Sequence, residues 1–131
     1  MKSNFVIEDA VRFVLPDESV DLRGECDLTK VSMLPGNSLR VELVWNIRGS
    51  NQQVTIDFRE VTSFIVSGRD DAYPFESGTT LAIAGFTDAS SFDPDGEIFC
   101  EPTQAIAHMS FIMADKSAFL IKAASATLRR M

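Results

Sequence analysis

The strongest constraint in this chain is the run Leu39–Arg48. There Leu39, Val41, Leu43, Trp45 and Ile47 fall on one side of a period-two alternation, and Arg40, Glu42, Asn46 and Arg48 on the other. A segment of that kind sits still only as a β-strand with one face in a core and one in water. Gly49-Ser50-Asn51 supplies turn chemistry, and Val54-Thr55-Ile56-Asp57-Phe58 resumes the alternation, so the two runs predict an antiparallel hairpin.

Shorter segments of the same character recur along the chain. They are Phe13 with Leu15, Val20 with Leu22, Cys26 with Leu28, Phe64–Val66, Leu81–Ala84, Ile98–Cys100 and Ile106–Met113, each bounded by Gly, Pro, Asp or Ser. In the last of them Ala107, Met109, Phe111 and Met113 share the face expected to be buried. No helical pattern separates the strands, which disfavours parallel βαβ units and predicts an all-β, antiparallel sandwich or barrel of about eight or nine short strands. Ser117–Arg130 admits two readings. As a helix it is capped by Ser117 with Lys122, Ser125 and Arg129 on a polar face; as a strand it pairs with the preceding one and closes a meander. The strand is preferred and the C-terminal helix is the alternative.

The 131 residues, 45% hydrophobic and 24% charged, suit one globular domain over residues 1–131. The net charge of -7 opposes the electrostatic term behind most nucleic-acid affinity, so no nucleic-acid partner is expected. The opening residues reach Glu8 and Asp9 too soon to form a signal-peptide apolar region, and no uncharged apolar run is long enough to span a membrane. A cytoplasmic protein without membrane contact is the expectation. Cys26 and Cys100 stand far apart without neighbouring ligands, and small, half-buried strand residues in a reducing compartment are expected rather than a disulfide or a reactive thiol.

Charge is unevenly distributed. From Asp70 to Asp115 there are nine acids and no Lys or Arg, whereas Lys116, Lys122, Arg129 and Arg130 follow with no acid. Two outcomes are open. The basic end packs beside the acidic block and neutralises it, or the acids stay uncovered and steer a basic partner towards one surface. The segment from Gly68 to Thr80 is the longest without a confident element and holds Tyr73 and Phe75 among turn formers, so it is the first candidate for a functional loop. The candidate partner-binding residues are therefore Asp70, Asp71, Tyr73, Phe75, Glu76, Asp88, Phe92, Asp93 and Asp95, acids around an apolar centre. A small-ligand cavity between sheets near Tyr73 is the alternative.

Catalytic chemistry has no anchor here. The sole histidine, His108, fits a solvent-facing strand position, no serine lies in a Gly-x-Ser-x-Gly elbow, and the seven glycines form no phosphate loop. Asp93-Pro94-Asp95-Gly96-Glu97 has part of a calcium-loop pattern, and Asp93, Asp95 and Glu97 are the weaker alternative as metal ligands. Pro102 occupies the place of the bidentate Glu, so a plain turn is expected, with no cofactor and no metal. The sequence predicts no enzyme.

Val54–Phe64 followed by Phe119-Leu120-Ile121-Lys122-Ala123 resembles the hydrophobic rhythm of small, acidic, all-β bacterial immunity-type proteins. The resemblance implies a cytoplasmic antagonist that covers a basic toxin site with acids. It assigns no individual residue.

Overall fold

The computed structural model describes residues 1–67, 80–88, 107–114 and 117–130. Their elements in chain order are β1 (Lys2–Ser3), β2 (Val6–Glu8), β3 (Arg12–Val14), β4 (Ser19–Asp21), α1 (Leu22–Glu25), β5 (Cys26–Leu34), β6 (Arg40–Ile47), β7 (Gln53–Ser67), β8 (Leu81–Asp88), β9 (Ala107–Met113) and β10 (Ala118–Arg130). The class is all-β, as the alternation predicts. The large sheet has the order β5-β6-β7-β10-β9-β8, with every neighbouring pair antiparallel, and β2-β3-β4 form a small antiparallel sheet.

The predicted hairpin is present. β6 and β7 pair from Val41 opposite Phe58 to Asn46 opposite Gln53, and Gly49 in the turn has the positive φ of 76° that a side chain resists. One feature differs from the expectation. Val54–Phe58 and Phe64–Val66 are one strand, the 15-residue β7, interrupted but not ended at Glu60, whose φ is 53°. The C-terminal segment is the preferred strand rather than the alternative helix: β10 runs 13 residues beside β7. β9 takes the first part of its other edge, at Ala118–Ile121, and β1 runs parallel to it at Ser125 and Ala126. Among the described residues the strands number ten; β3 and β4 hold the candidates Phe13 and Val20, whereas β1, with its parallel pairing, and β2 escape the alternation.

Phe111 on β9 shows why the sheet must curl. Its ring centroid lies 6.2 Å from Trp45 on β6, 6.1 Å from Phe58 on β7 and 6.1 Å from Phe13 in the small sheet. In a flat sheet, β6 and β9, three places apart, would hold Trp45 and Phe111 roughly 14 Å apart. The curl therefore closes around Trp45, Phe58, Phe111, Leu43, Ile56 and Met109, all with no exposed surface. Phe13, Val20 and Leu22 of the small sheet and α1 join the same core.

The remaining gap, between the edges β5 and β8, is bridged by local chemistry. Asp21 Oδ1 accepts from the Gly24 N–H at 2.8 Å and Glu25 Oε2 accepts from the Asp21 N–H at 2.9 Å, a reciprocal cap that starts α1. A Cβ at position 24 would lie 2.6 Å from Asp21 Oδ2, so a larger residue there would displace the capping carboxylate. At the other end of α1, Arg48 donates to the carbonyls of Arg23, Gly24 and Cys26 and to Asp27 Oδ1. Its forked guanidinium thus satisfies the orphan acceptors of a helix that has no room for its own. The Ala84 N–H donates to the Ala10 carbonyl at 2.6 Å, which fastens the β2–β3 turn to β8.

Candidate functional site

Of the predicted binding residues, Asp88 is the last residue of β8. Asp70, Asp71, Tyr73, Phe75, Glu76, Phe92, Asp93 and Asp95 lie outside the described residues, as do Glu97, Cys100 and the predicted cavity beside Tyr73. What the structure does give is where their segments are rooted. Ser67 stands opposite Ala118 and Leu81 opposite Met113, at one end of the β8–β9–β10 region, while Asp88 stands opposite Ala107 at the other. The segment carrying Asp70, Asp71 and Glu76 thus joins the sheet roughly 25 Å, the length of an eight-residue strand, from the root of the segment carrying Asp93 and Asp95.

The charges of the described residues are assigned one by one. On the outer face of the large sheet Glu42 and Asp57 are directly opposite each other on β6 and β7, a pairing that is unfavourable alone. Three arginines relieve it. Arg40 reaches Asp57 at 3.2 Å and Glu42 at 3.9 Å, Arg59 Nε reaches Asp57 at 3.0 Å, and Arg129 crosses from β10 to Glu42 at 3.7 Å. Burial pushes the Asp57 carboxyl up, but the hydrogen bonds from Arg59 and Arg40 outweigh it and hold the group below the ordinary carboxylate range. Away from this network, Arg48 pairs with Asp27 at 3.1 Å. Lys122 and Arg130 take part in no ion pair among the described residues. The ion-paired arginines are therefore committed to Asp27, Glu42 and Asp57, and none of those acids belongs to the block from Asp70 to Asp115.

Two sequence expectations about single residues come out differently from each other. Cys26 is a free thiol, fully buried at the start of β5, and burial pushes it up to about 11, so it stays protonated and inert. His108, expected at the surface, is buried at 8% exposure. It shares the outer face of β9 with Ser110 and Ile112, and that face is not wet: Ile112, Ala118 and Leu120 form a second apolar cluster there, with Ile83 against it. Alternation told inside from outside correctly in β9 but could not reveal that both faces are covered. Among the described residues no group of three His, Cys, Asp or Glu is placed to hold a metal ion.

A feature the sequence reading missed is a groove of about 350 Å3 between β8 and the N-terminal strands. Phe5, Ile7, Ala84 and Phe86 make its apolar wall, and Met1 and Val6 stand at its rim. Val6 is 60% exposed, a large apolar residue left in water. The signal was present in Phe5-Val6-Ile7, an apolar run too short to be told from a plain strand.

Comparison with known proteins gives no match to a family model, to a curated protein or to a solved structure. No helix of the described residues is long and apolar enough to cross a membrane.

Proposed function

We propose that this protein is a non-enzymatic binding module that presents the acids of its central block to a basic protein partner in the cytoplasm. Asp70, Asp71, Glu76, Asp88, Asp93 and Asp95 supply the negative field, and Tyr73, Phe75 and Phe92 the apolar contacts inside it. A basic site on a toxin is the partner class implied by the immunity-type pattern of the sequence.

One observation supports this reading: among the described residues every ion pair falls on an acid outside the block. Arg129 is drawn to Glu42, Arg40, Arg48 and Arg59 answer acids of the first half, and Lys122 and Arg130 make no ion pair among the described residues. In the sequence the nine acids from Asp70 to Asp115 have no Lys or Arg among them and contribute most of the net charge of -7. Acids in that number raise the local concentration of cations and speed encounter with a basic surface. The buried free thiol of Cys26 accords with a reducing compartment.

The test is titration with an oligolysine probe at low salt and at roughly 0.3 M salt, where the Debye length has shrunk well below its low-salt value. Association at low salt that weakens at least about tenfold at high salt is expected. No association at low salt, or association indifferent to salt, contradicts the proposal.

A further inference from the structure

The outer face of the large sheet carries charge of one sign in excess. Strand pairing sets Lys30, Val44, Thr55 and Arg129 in one row across β5, β6, β7 and β10, and Ser32, Glu42, Asp57 and Thr127 in the next. A third row holds Arg59, Ser125 and Lys2, with Arg40 level with Arg59 because each adjoins the pair Val41 and Phe58. Among the described residues the five bases Lys2, Lys30, Arg40, Arg59 and Arg129 thus share this face with the two acids Glu42 and Asp57. Beside it Glu60 and Lys122 add one charge of each sign, and Asp27 holds Arg48. Depth separates the signs further. The Asp57 side chain is 3% exposed, whereas that of Arg59 is 58% exposed. Among the described residues Arg59 hydrogen-bonds to Asp57 through Nε alone, so its Nη groups are left for an outside acceptor. Lys2 and Lys30 are exposed and make no ion pair among the described residues.

Spacing, chemistry and net charge select the occupant. Arg40, Arg59 and Lys2 stand on β6, β7 and β1, and from β6 to β1 by way of β7 and β10 is about 14 Å, too far for one small anion to bridge. Carboxylates at alternate residues of an extended peptide recur every ~6.8 Å, so three of them cover the same length. Arginine's planar fork matches a carboxylate with two parallel hydrogen bonds. Nucleic acid answers this face less well. No aromatic ring stands on it among the described residues, which removes the stacking that holds single strands. A duplex carries a dense line of phosphates that repels a protein of net charge -7, whereas a short peptide meets only the local face, within a Debye length of about 10 Å.

We infer that the outer face of β6, β7 and β10 binds an extended acidic segment of a partner protein, laid across the strands with its carboxylates on Arg40, Arg59 and Lys2. Lys30 and Arg129, two rows away, add to the field that attracts it. No acid of the central block takes part, so this surface stands or falls separately from the basic partner proposed above.

The experiment is an NMR titration of the full chain at low salt with an acetylated, amidated peptide alternating glutamate and serine, with its lysine–serine counterpart, and with an oligothymidylate of the same charge as the first. The glutamate–serine peptide should shift the amides of Lys2, Arg40, Asp57–Arg59 and Ser125. The lysine–serine peptide should leave them unmoved, and the oligothymidylate should bind several-fold more weakly. Lys2→Gln with Arg59→Gln should weaken the glutamate–serine peptide about tenfold. Lys2→Gln alone, which disturbs no ion pair among the described residues, should weaken it about threefold. Arg12→Gln with Arg23→Gln, two exposed bases off the large sheet, changes the net charge as much as the first pair and should leave the affinity near its starting value. Absence of binding, shifts confined to other residues, oligothymidylate binding as tight as the peptide's, or equal losses in the two double variants would overturn the inference.

Discussion

Ala10 holds a φ of 61° immediately after Asp9 at 53°, and both lie in the left-handed region that costs a side-chain-bearing residue about 1–2 kcal/mol. The strain persists because the Ala10 carbonyl is the acceptor that fastens this turn to β8. Ala10→Gly should therefore raise stability by about 1 kcal/mol, read as a higher urea midpoint, since glycine adopts the conformation freely. An unchanged or lower midpoint would mean that the turn is not strained in solution. Asp57 gives a prediction of a different kind. Its carboxyl is held below the ordinary carboxylate range, so its stabilising contribution is complete above the unfolded-state value of about 3.9 and is lost as the pH falls through the lower folded-state value. Asp57→Asn should lower stability at neutral pH by about 1–2 kcal/mol and flatten the acid limb of the stability–pH curve, both measured by denaturant unfolding. At this scale the sequence was readable where one face decides the environment, as for Trp45 and Phe111, both fully buried as expected; Cys26, expected half-buried, is fully buried. It was unreadable for His108, whose burial depends on what lies over the back of the sheet.

Between β4 and β5 the chain turns through α1, four residues that no periodicity can announce. The element exists because Asp21 and Glu25 cap its start and Arg48, from the far side of β6, closes its end. Arg48→Ala should cost about 1–2 kcal/mol, at the lower end for so many hydrogen bonds because the guanidinium is 42% exposed. Arg48→Lys should recover little of it, since an ammonium cannot reach three carbonyls and a carboxylate together. Full recovery by lysine, read in the same unfolding assay, would show that charge alone matters there. The long strands were legible in outline, because Leu39–Arg48 and Val54–Phe58 alternate over enough residues to exclude a helix. The true length of β7 was hidden by a local irregularity. Glu60 turns left-handed within it, where its pairing with β10 shifts register between Lys122 and Ala123, so β7 reads as two short strands in the sequence.

For the molecule as a whole, the ion pairs among the described residues fall on acids of the first half: Asp57 and Glu42 share three arginines and Asp27 holds Arg48, while Asp21 caps a helix. The β8 register roots the two segments of the central block at opposite ends of one strand. The fold class followed from side-chain alternation, which is a local property, whereas the site depends on how segments far apart in the chain come together, which alternation does not encode. The most direct measurement compares two triple variants of equal net charge, each changed from -7 to -4, for oligolysine affinity at low salt. One is Asp71→Asn, Asp93→Asn, Asp95→Asn; the other is Asp17→Asn, Glu18→Gln, Glu60→Gln, three exposed acids of the first half. The account predicts that the first loses several-fold more affinity than the second, and equal losses would contradict it, because net charge alone would then explain the binding.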